Sequence, residues 1–147
     1  MTTSRLDRLA QIATILGAVV TAASVVFGVL TFRRTANEQR QSMALGLLQE
    51  YLKLSVEHPD LASLESGEPL DIRHAWFATN AIFTSQAVWK MVGSDPRWER
   101  IIRAMVRDHE NYLQRGALAC EEYDPEFIKY VAKNVPALKC AESGDLR

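Results

Sequence analysis

The side chains that most often do chemistry are sparse in this sequence and show no recognised spacing. Three histidines, His58, His74 and His109, fall on different predicted elements, and none has another metal ligand four residues away as in an H-x-x-x-H motif. His109 lies on the apolar face of its helix, which is typical of a hydrogen-bonded core residue. His74 could instead contact a membrane or a partner, and a metal site that joins it to His109 and Cys120 would need the fold to gather all three.

The sequence also lacks the local signatures of nucleophilic, phosphate-binding or paired-carboxylate sites. An acidic cluster is present, but it flanks a helix start, where the helix dipole favours negative charge. Its members are Glu121, Glu122, Asp124 and Glu126. We therefore predict no catalytic, cofactor-binding or metal-binding residue, and a protein that is not an enzyme.

The two cysteines, Cys120 and Cys140, have neither the number of a disulfide scaffold nor the spacing of a zinc or redox motif. We expect two free, partly buried thiols. The alternative is one disulfide that fastens the C-terminal segment, which would require an oxidising compartment.

The length and net charge of the chain limit its number of domains and its possible partners. A chain of 147 residues suits one domain, and its formal net charge of -1 provides no general attraction to nucleic acid. We therefore expect no nucleic-acid partner.

An apolar stretch near the N-terminus dominates the remaining sequence. From Leu9 to Phe32 there are 24 consecutive uncharged residues. As a helix they would extend about 36 Å, against about 30 Å of bilayer hydrocarbon. A secretory signal would end after about 7–15 apolar residues, whereas this stretch continues to Arg33-Arg34. We predict a leader over residues 1–8 and an uncleaved transmembrane helix over 9–34.

The basic residues around this helix indicate its orientation. Arg33, Arg34 and Arg40 follow it, and Arg5 and Arg8 precede it. The positive-inside rule then favours a cytoplasmic C-terminal domain in a single-pass membrane protein, by one residue.

Small residues recur every three or four positions along the predicted span and share an arc of roughly 80°. They are Ala10, Ala13, Gly17, Thr21, Ser24, Gly28 and Thr31. Helices associate in lipid where small residues let backbones approach closely. We predict a helix–helix contact on this face, with either another transmembrane protein or a second copy of the chain.

Residues 35–140 predict a small antiparallel helical bundle, followed by a flexible tail over 141–147, so the fold class is all-α. The span should continue as one helix to about His58, with a core stripe on its C-terminal part. That stripe contains Ala44, Leu47, Leu48, Tyr51, Leu52 and Ser55.

Aspartates mark the starts of the later helices. Asp71, Asp95-Pro96 and Asp124-Pro125 are N-cap signals. The helix from Asp71 to Val92 has apolar residues on more than one face, including Ile72, Trp76 and Phe83, and is expected to be the most buried. One further helix should run from Pro96 to Gly116.

Two other sets of residues complete the prediction. Trp76, Trp89 and Trp98 are expected in the core, and exposure of any of them would indicate a protein contact. Six arginines are candidates for contact with lipid headgroups or an acidic partner. They are Arg33, Arg34, Arg97, Arg100, Arg103 and Arg107. For the four of them between residues 97 and 107, a solvated helix face is the simpler interpretation.

The order RLAQIATILGAVVTAASVVFGVLTFRR, EHPDLASL, a Trp-rich pair of helices and YDPEFIKYV resembles a group of uncharacterised bacterial proteins. These have one N-terminal transmembrane helix and a small helical domain, and the resemblance implies no activity. Together these features favour a membrane-anchored accessory or scaffold protein, a small subunit of a larger complex bound through the small-residue face. The alternative is a self-associating membrane effector or receptor-like module with a sensing domain.

Overall fold

The computed structural model describes residues 3–62, 69–116 and 118–141, and only the backbone of residues 3–14. These ranges form five α-helices and one short 3-10 turn, with no strand among them. The helices are α1 (Thr3–Glu57), α2 (Ile72–Val92), α3 (Pro96–Asp108), α4 (Glu110–Gln114) and α5 (Pro125–Asn134), and the 3-10 turn is Cys120–Glu122. The predicted all-α class is confirmed. Of the predicted tail, residues 142–147 lie outside the described ranges.

The chain divides into two compact units, Met1–Gln39 and Arg40–Arg147. The first unit consists of the N-terminal part of α1. Its large apolar side chains from Ile15 to Phe32 are all exposed, at 46–74% of their surface. The most apolar 18-residue window of α1 has a mean hydropathy of 2.3 and none of it is buried. By length and composition, this helix is therefore long and apolar enough to span a membrane.

The second unit has its own core, to which the C-terminal part of α1 contributes one narrow stripe. Ala44, Leu48 and Tyr51 are buried at successive helical turns. The predicted stripe also included Leu47 and Leu52, and this part of the prediction is wrong, because these side chains are 38% and 50% exposed. Both lie on the flanks of the stripe, beyond the strip of α1 that contacts its neighbours.

Local capping explains where α2, α3 and α5 begin. The carboxylates of Asp71, Asp95 and Asp124 each accept a hydrogen bond from a backbone N–H in the first turn. Proline occupies the first turn of α3 and α5, where its missing N–H is not needed. All three predicted helix starts are confirmed.

The main core forms between α2, α3, α4 and α5. Phe127 is fully buried, and its ring centroid lies 5.7 Å from that of Trp89 on α2. Trp89 and Trp98 are partly buried against this core, as predicted.

The prediction that Trp76 lies in the core is wrong, and α2 does not bury all of its apolar residues. Ile72, Trp76 and Phe83 are 70%, 69% and 60% exposed. The bundle covers only one side of α2, the side that carries Ala78, Ile82 and Val88. The second apolar face therefore remains largely exposed.

The helix predicted from Pro96 to Gly116 is interrupted at His109. That residue has φ -105° and ψ 20°, so α3 ends at Asp108 and α4 begins at Glu110. The interruption accompanies burial of the imidazole against Tyr51, a contact that helical periodicity alone does not anticipate. Gly116, with φ +73°, then reverses the chain as predicted.

The expectation of free thiols is also wrong, because Cys120 and Cys140 form a disulfide with Cα atoms 5.4 Å apart. The bond holds the segment after Asn134 against the one that follows Gly116. Beside it, the Ala141 N–H donates to the Leu118 carbonyl at 2.8 Å. The pair is far apart in sequence, and only the turn after α5 brings its members together.

Candidate functional site

The predicted contact face of the span is uncovered within its unit. Beyond the adjoining turns of the helix itself, a Cβ atom placed on Gly17 or Gly28 would meet no described atom within 4 Å. Thr21, Ser24 and Thr31 are exposed, and the side chain of Ala13 lies outside the described residues, as does that of Ala10. No contact among the described residues explains the small side chains at these positions.

Two hydroxyl groups on this face, those of Thr21 and Ser24, are satisfied inside the helix. The Thr21 hydroxyl donates to the Gly17 carbonyl, and that of Ser24 donates to the Val20 carbonyl, both at 2.8 Å. An unsatisfied hydroxyl in hydrocarbon would cost free energy. The face is thus small and already hydrogen-bonded, which suits close packing of a second helix.

The predicted arginine contacts divide into two groups. Three arginines are held by carboxylates on their own helix or its cap, and these ion pairs are Arg34–Glu38, Arg97–Asp95 and Arg103–Glu99. Among the described residues, Arg33, Arg100 and Arg107 make no ion pair. The basic stripe on α3 therefore carries less free charge than its sequence indicates.

His109 is a core residue, as predicted, with only 2% of its surface exposed. Its Nε2 lies 3.1 Å from the Tyr51 hydroxyl, and the Phe77 ring packs 5.9 Å away, centroid to centroid. Burial lowers the pKa of its imidazole to about 4 and raises that of the Tyr51 phenol. At neutral pH the uncharged ring can accept a hydrogen bond from Tyr51, which ties α1 to the end of α3.

His74 has a local structural role. Its Nδ1 lies 2.9 Å from the Asp71 carboxylate, and its Nε2 lies 3.0 Å from the Asp60 carbonyl. Because Cys120 is in a disulfide, it has no thiolate to offer a metal. Across the described ranges no group of three histidine, cysteine or acidic residues could hold a metal ion.

The acidic cluster separates into capping residues and exposed ones. Asp124 caps α5 and pairs with Lys90 at 2.8 Å, which lowers its pKa, while Glu126 pairs with Lys129. Glu121 and Glu122 are exposed, and within the described chain they form no ion pair. The capping interpretation therefore accounts for half of the cluster.

A groove lies between the exposed face of α2 and the segment from Leu118 to Tyr123; we call it the α2 groove. Its deeper part is a cavity of about 280 Å³, lined by Ile72, Trp76, Leu118, Glu122 and Tyr123 among others. A shallower recess of about 480 Å³ shares Trp76, Glu122 and Tyr123 and extends to Phe83. The two recesses thus form one apolar surface with a carboxylate at its edge.

Two tyrosines line the deeper part of the α2 groove. The Tyr112 hydroxyl is hydrogen-bonded to that of Thr79 at 3.0 Å. Burial raises the pKa of Tyr123 to about 12, and the nearby carboxylate of Glu122 adds to the rise. The Tyr123 phenol is therefore neutral at physiological pH, and among the described residues that line the deeper cavity only Glu122 carries a charge.

Sequence reasoning missed the α2 groove, although its signal was present. Ile72, Trp76 and Phe83 are spaced by four and seven residues and so share a face of α2. The apolar residues on that second face predicted a buried helix, whereas the structure leaves them exposed. The opposing wall was unforeseeable, because it depends on the disulfide.

No family model, curated protein or solved structure matches the chain. Function is therefore inferred from the residues and their geometry.

Proposed function

We propose that this chain is a non-enzymatic, single-pass membrane protein that serves as an accessory or scaffold subunit of a larger membrane complex. One observation carries the proposal: the apolar surface of residues 15–32 is fully exposed, while the second unit has a core of its own. An exposed apolar surface of this length is stable in lipid and not in water. The bilayer is the environment that best accounts for it.

The small-residue face supports the second part of the proposal. Gly17 and Gly28 are eleven residues apart, about three helical turns, and lie within roughly 20° of each other around the helix. A helix from another protein can approach closely there, with Thr21 and Ser24 already satisfied between them. The complex would thus hold the chain by its span and leave the helical domain at the membrane surface.

The test is the native mass of the full-length protein extracted from its own membranes in mild detergent, with mass spectrometry of the proteins that accompany it. We expect stoichiometric foreign subunits that are lost in the variant Gly17→Ile/Gly28→Ile. Neither substitution disturbs a contact within the chain. The matched control is Ala22→Ile/Ala23→Ile, which enlarges two exposed small residues at least about 120° around the helix from either glycine.

Two results would contradict this assignment. A clean multiple of 16.5 kDa that dissociates in the glycine variant would show self-association and favour an effector or receptor-like module. A monomer in every preparation would remove both packing hypotheses.

We further propose that the helical domain faces the oxidising side of a bacterial inner membrane. The basic flanks favour the cytoplasm by only one arginine, three after the span and two before it. The Cys120–Cys140 disulfide favours the opposite side, because disulfides rarely persist in a reducing cytoplasm. A persistent disulfide is the stronger constraint of the two.

Labelling of intact cells tests this orientation. After reduction with a membrane-impermeant phosphine, a bulky impermeant maleimide should label Cys120 and Cys140 in spheroplasts. Without the phosphine it should label neither residue. Labelling that appears only after lysis, with no reductant, would put free thiols in the cytoplasm and reject the proposed orientation.

A further inference from the structure

The α2 groove is a second binding surface, separate from the span. Three large apolar side chains on its α2 side remain more than half exposed, and Trp76 is the largest of them. Scattered exposed apolar residues are ordinary, but a contiguous apolar surface that includes a cavity is typical of a binding site. The cavity of about 280 Å³ is large enough to take one or two partner side chains.

The wall opposite α2 is held in place before any ligand arrives. The segment from Leu118 to Tyr123 is fastened by the Cys120–Cys140 disulfide and by the hydrogen bond from Ala141 to Leu118. The 3-10 turn within it carries Glu122. A preformed wall lowers the ordering cost of binding.

Charge indicates the chemistry of the occupant. Glu122 lines both recesses, and Glu121 precedes it on the same turn. Within the part of the chain described, neither carboxylate makes an ion pair, whereas Asp124 and Glu126 are both paired with lysines. A ligand that brings a Lys or Arg to this edge would complete an ion pair beside an apolar contact.

We propose that the α2 groove binds a segment of a partner protein whose apolar side chains, at helical spacing, are flanked by Lys or Arg. An amphipathic helix laid in a groove is a common mode of recognition and matches the apolar floor and acidic edge. An anionic membrane surface fits less well, because Glu121 and Glu122 would repel its headgroups. The proposal does not depend on what the span contacts.

The test uses the full chain in nanodiscs of zwitterionic lipid and two fluorescent 14-residue peptides. Both peptides carry Leu, Trp and Leu at helical spacing; one has Lys and the other Glu at the flanking positions. We expect the Lys peptide to bind at least tenfold more tightly than the Glu peptide, after subtraction of binding to empty nanodiscs. The substitution Glu121→Lys/Glu122→Lys should reverse this preference.

Matched variants distinguish binding in the α2 groove from nonspecific binding to exposed apolar residues. Trp76→Ala should weaken Lys-peptide binding at least tenfold, while Val56→Ala, which truncates an 80% exposed apolar residue on α1, should leave it unchanged. All of these positions are exposed, and an unchanged melting temperature confirms that each variant folds.

Three results would overturn the proposal. In the first, neither peptide binds. In the second, the Glu121→Lys/Glu122→Lys variant still prefers the Lys peptide. In the third, Val56→Ala weakens Lys-peptide binding as much as Trp76→Ala does. Tighter binding to phosphatidylserine vesicles than to the Lys peptide, again dependent on Trp76, would replace the partner segment with a membrane surface. None of these results bears on the glycine face, which is tested by Gly17→Ile/Gly28→Ile.

Discussion

Two stretches of α1, residues 15–32 and residues 44–51, are both helical but differ in whether their apolar side chains are exposed or buried. In the first, large apolar residues point outward on every side of the helix except the small-residue face, and none is buried. In the second, one stripe of Ala44, Leu48 and Tyr51 is buried and polar residues such as Gln49 and Glu50 face outward. Helical propensity cannot explain this difference. The pattern of apolar residues around the helix reflects the surroundings of each stretch, a protein core for the second and, as we propose, lipid for the first.

The comparison also separates two meanings of an exposed apolar residue. Val25 is exposed in a stretch that has no buried face at all, while Trp76 is exposed on a helix that buries its other side. The first arrangement suits a bilayer and the second suits a partner protein. Each of the following measurements can break or sharpen this distinction.

The largest effect is expected from charges in the span. Each arginine near the centre of a membrane helix costs about 2.5–3.5 kcal/mol, so Val20→Arg/Val25→Arg should cost roughly 5–7 kcal/mol of insertion free energy. We expect the variant to leave the membrane pellet in an alkaline carbonate wash. Val56→Arg, at an exposed position in the second unit, should stay in the pellet with the wild type. Equal retention of both variants would show that residues 15–32 do not cross the bilayer.

The next effect concerns the core of the second unit. Phe127→Ala should lower the free energy of unfolding by about 3–5 kcal/mol, because it leaves a cavity at a fully buried site. Phe83→Ala, at a position 60% exposed, should change it by less than about 0.5 kcal/mol. Urea unfolding in detergent, followed by tryptophan fluorescence, measures both, since Trp89 contacts Phe127. Similar losses in the two variants would mean that the outer face of α2 is structural.

A smaller effect should follow from pH through His109. Its folded pKa of about 4 lies below the ordinary value of 6.5, so folding favours the neutral ring. Above pH 6.5 the ring is neutral in both states and folding stability is unaffected. As pH falls from 6.5 to 4, the unfolded chain takes up a proton that the folded chain does not, and about 3 kcal/mol of stability is lost.

Urea titrations at several pH values measure this loss. The variant His109→Gln should be less stable than the wild type at pH 7 and should lack the part of the pH dependence that comes from the imidazole. A wild-type chain whose stability is flat between pH 6.5 and 4 would contradict the burial of His109.

The smallest effect is expected for Tyr51→Phe, which removes the hydroxyl that bonds to His109. A loss of about 1 kcal/mol is typical of one buried hydrogen bond. The neighbouring Leu52→Ala, at a half-exposed position, should have less effect in the same urea titration. If Leu52→Ala proves the more damaging, then the buried stripe of α1 is wider than Ala44, Leu48 and Tyr51.

The parts of the fold that depend on neighbouring residues were predictable. Asp71, Asp95 and Asp124 mark helix starts because a cap requires only one turn of chain. The apolar stretch from Leu9 to Phe32 is recognisable as a long apolar helix from its length and composition. Gly116 similarly marks a local reversal.

Features that depend on distant residues could not be predicted in this way. His109 interrupts its helix where it meets Tyr51, a residue 58 positions earlier. The periodicity of α2 indicates two apolar faces but not which of them the bundle covers, so Trp76 was assigned to the wrong environment. The α2 groove needs both that exposed face and the disulfide, and each is a product of the complete fold.

The position of Cys140 also sets an order of events during synthesis of the chain. The ribosome releases the apolar part of α1 first and α5 last among the helices, and Cys140 follows the end of α5 at Asn134. The covalent ring through Cys120 can therefore close only after every helix has emerged. The apolar part of α1 is thus synthesised long before this ring can exist, and the segment that forms one wall of the groove cannot be fastened until Cys140 has been made.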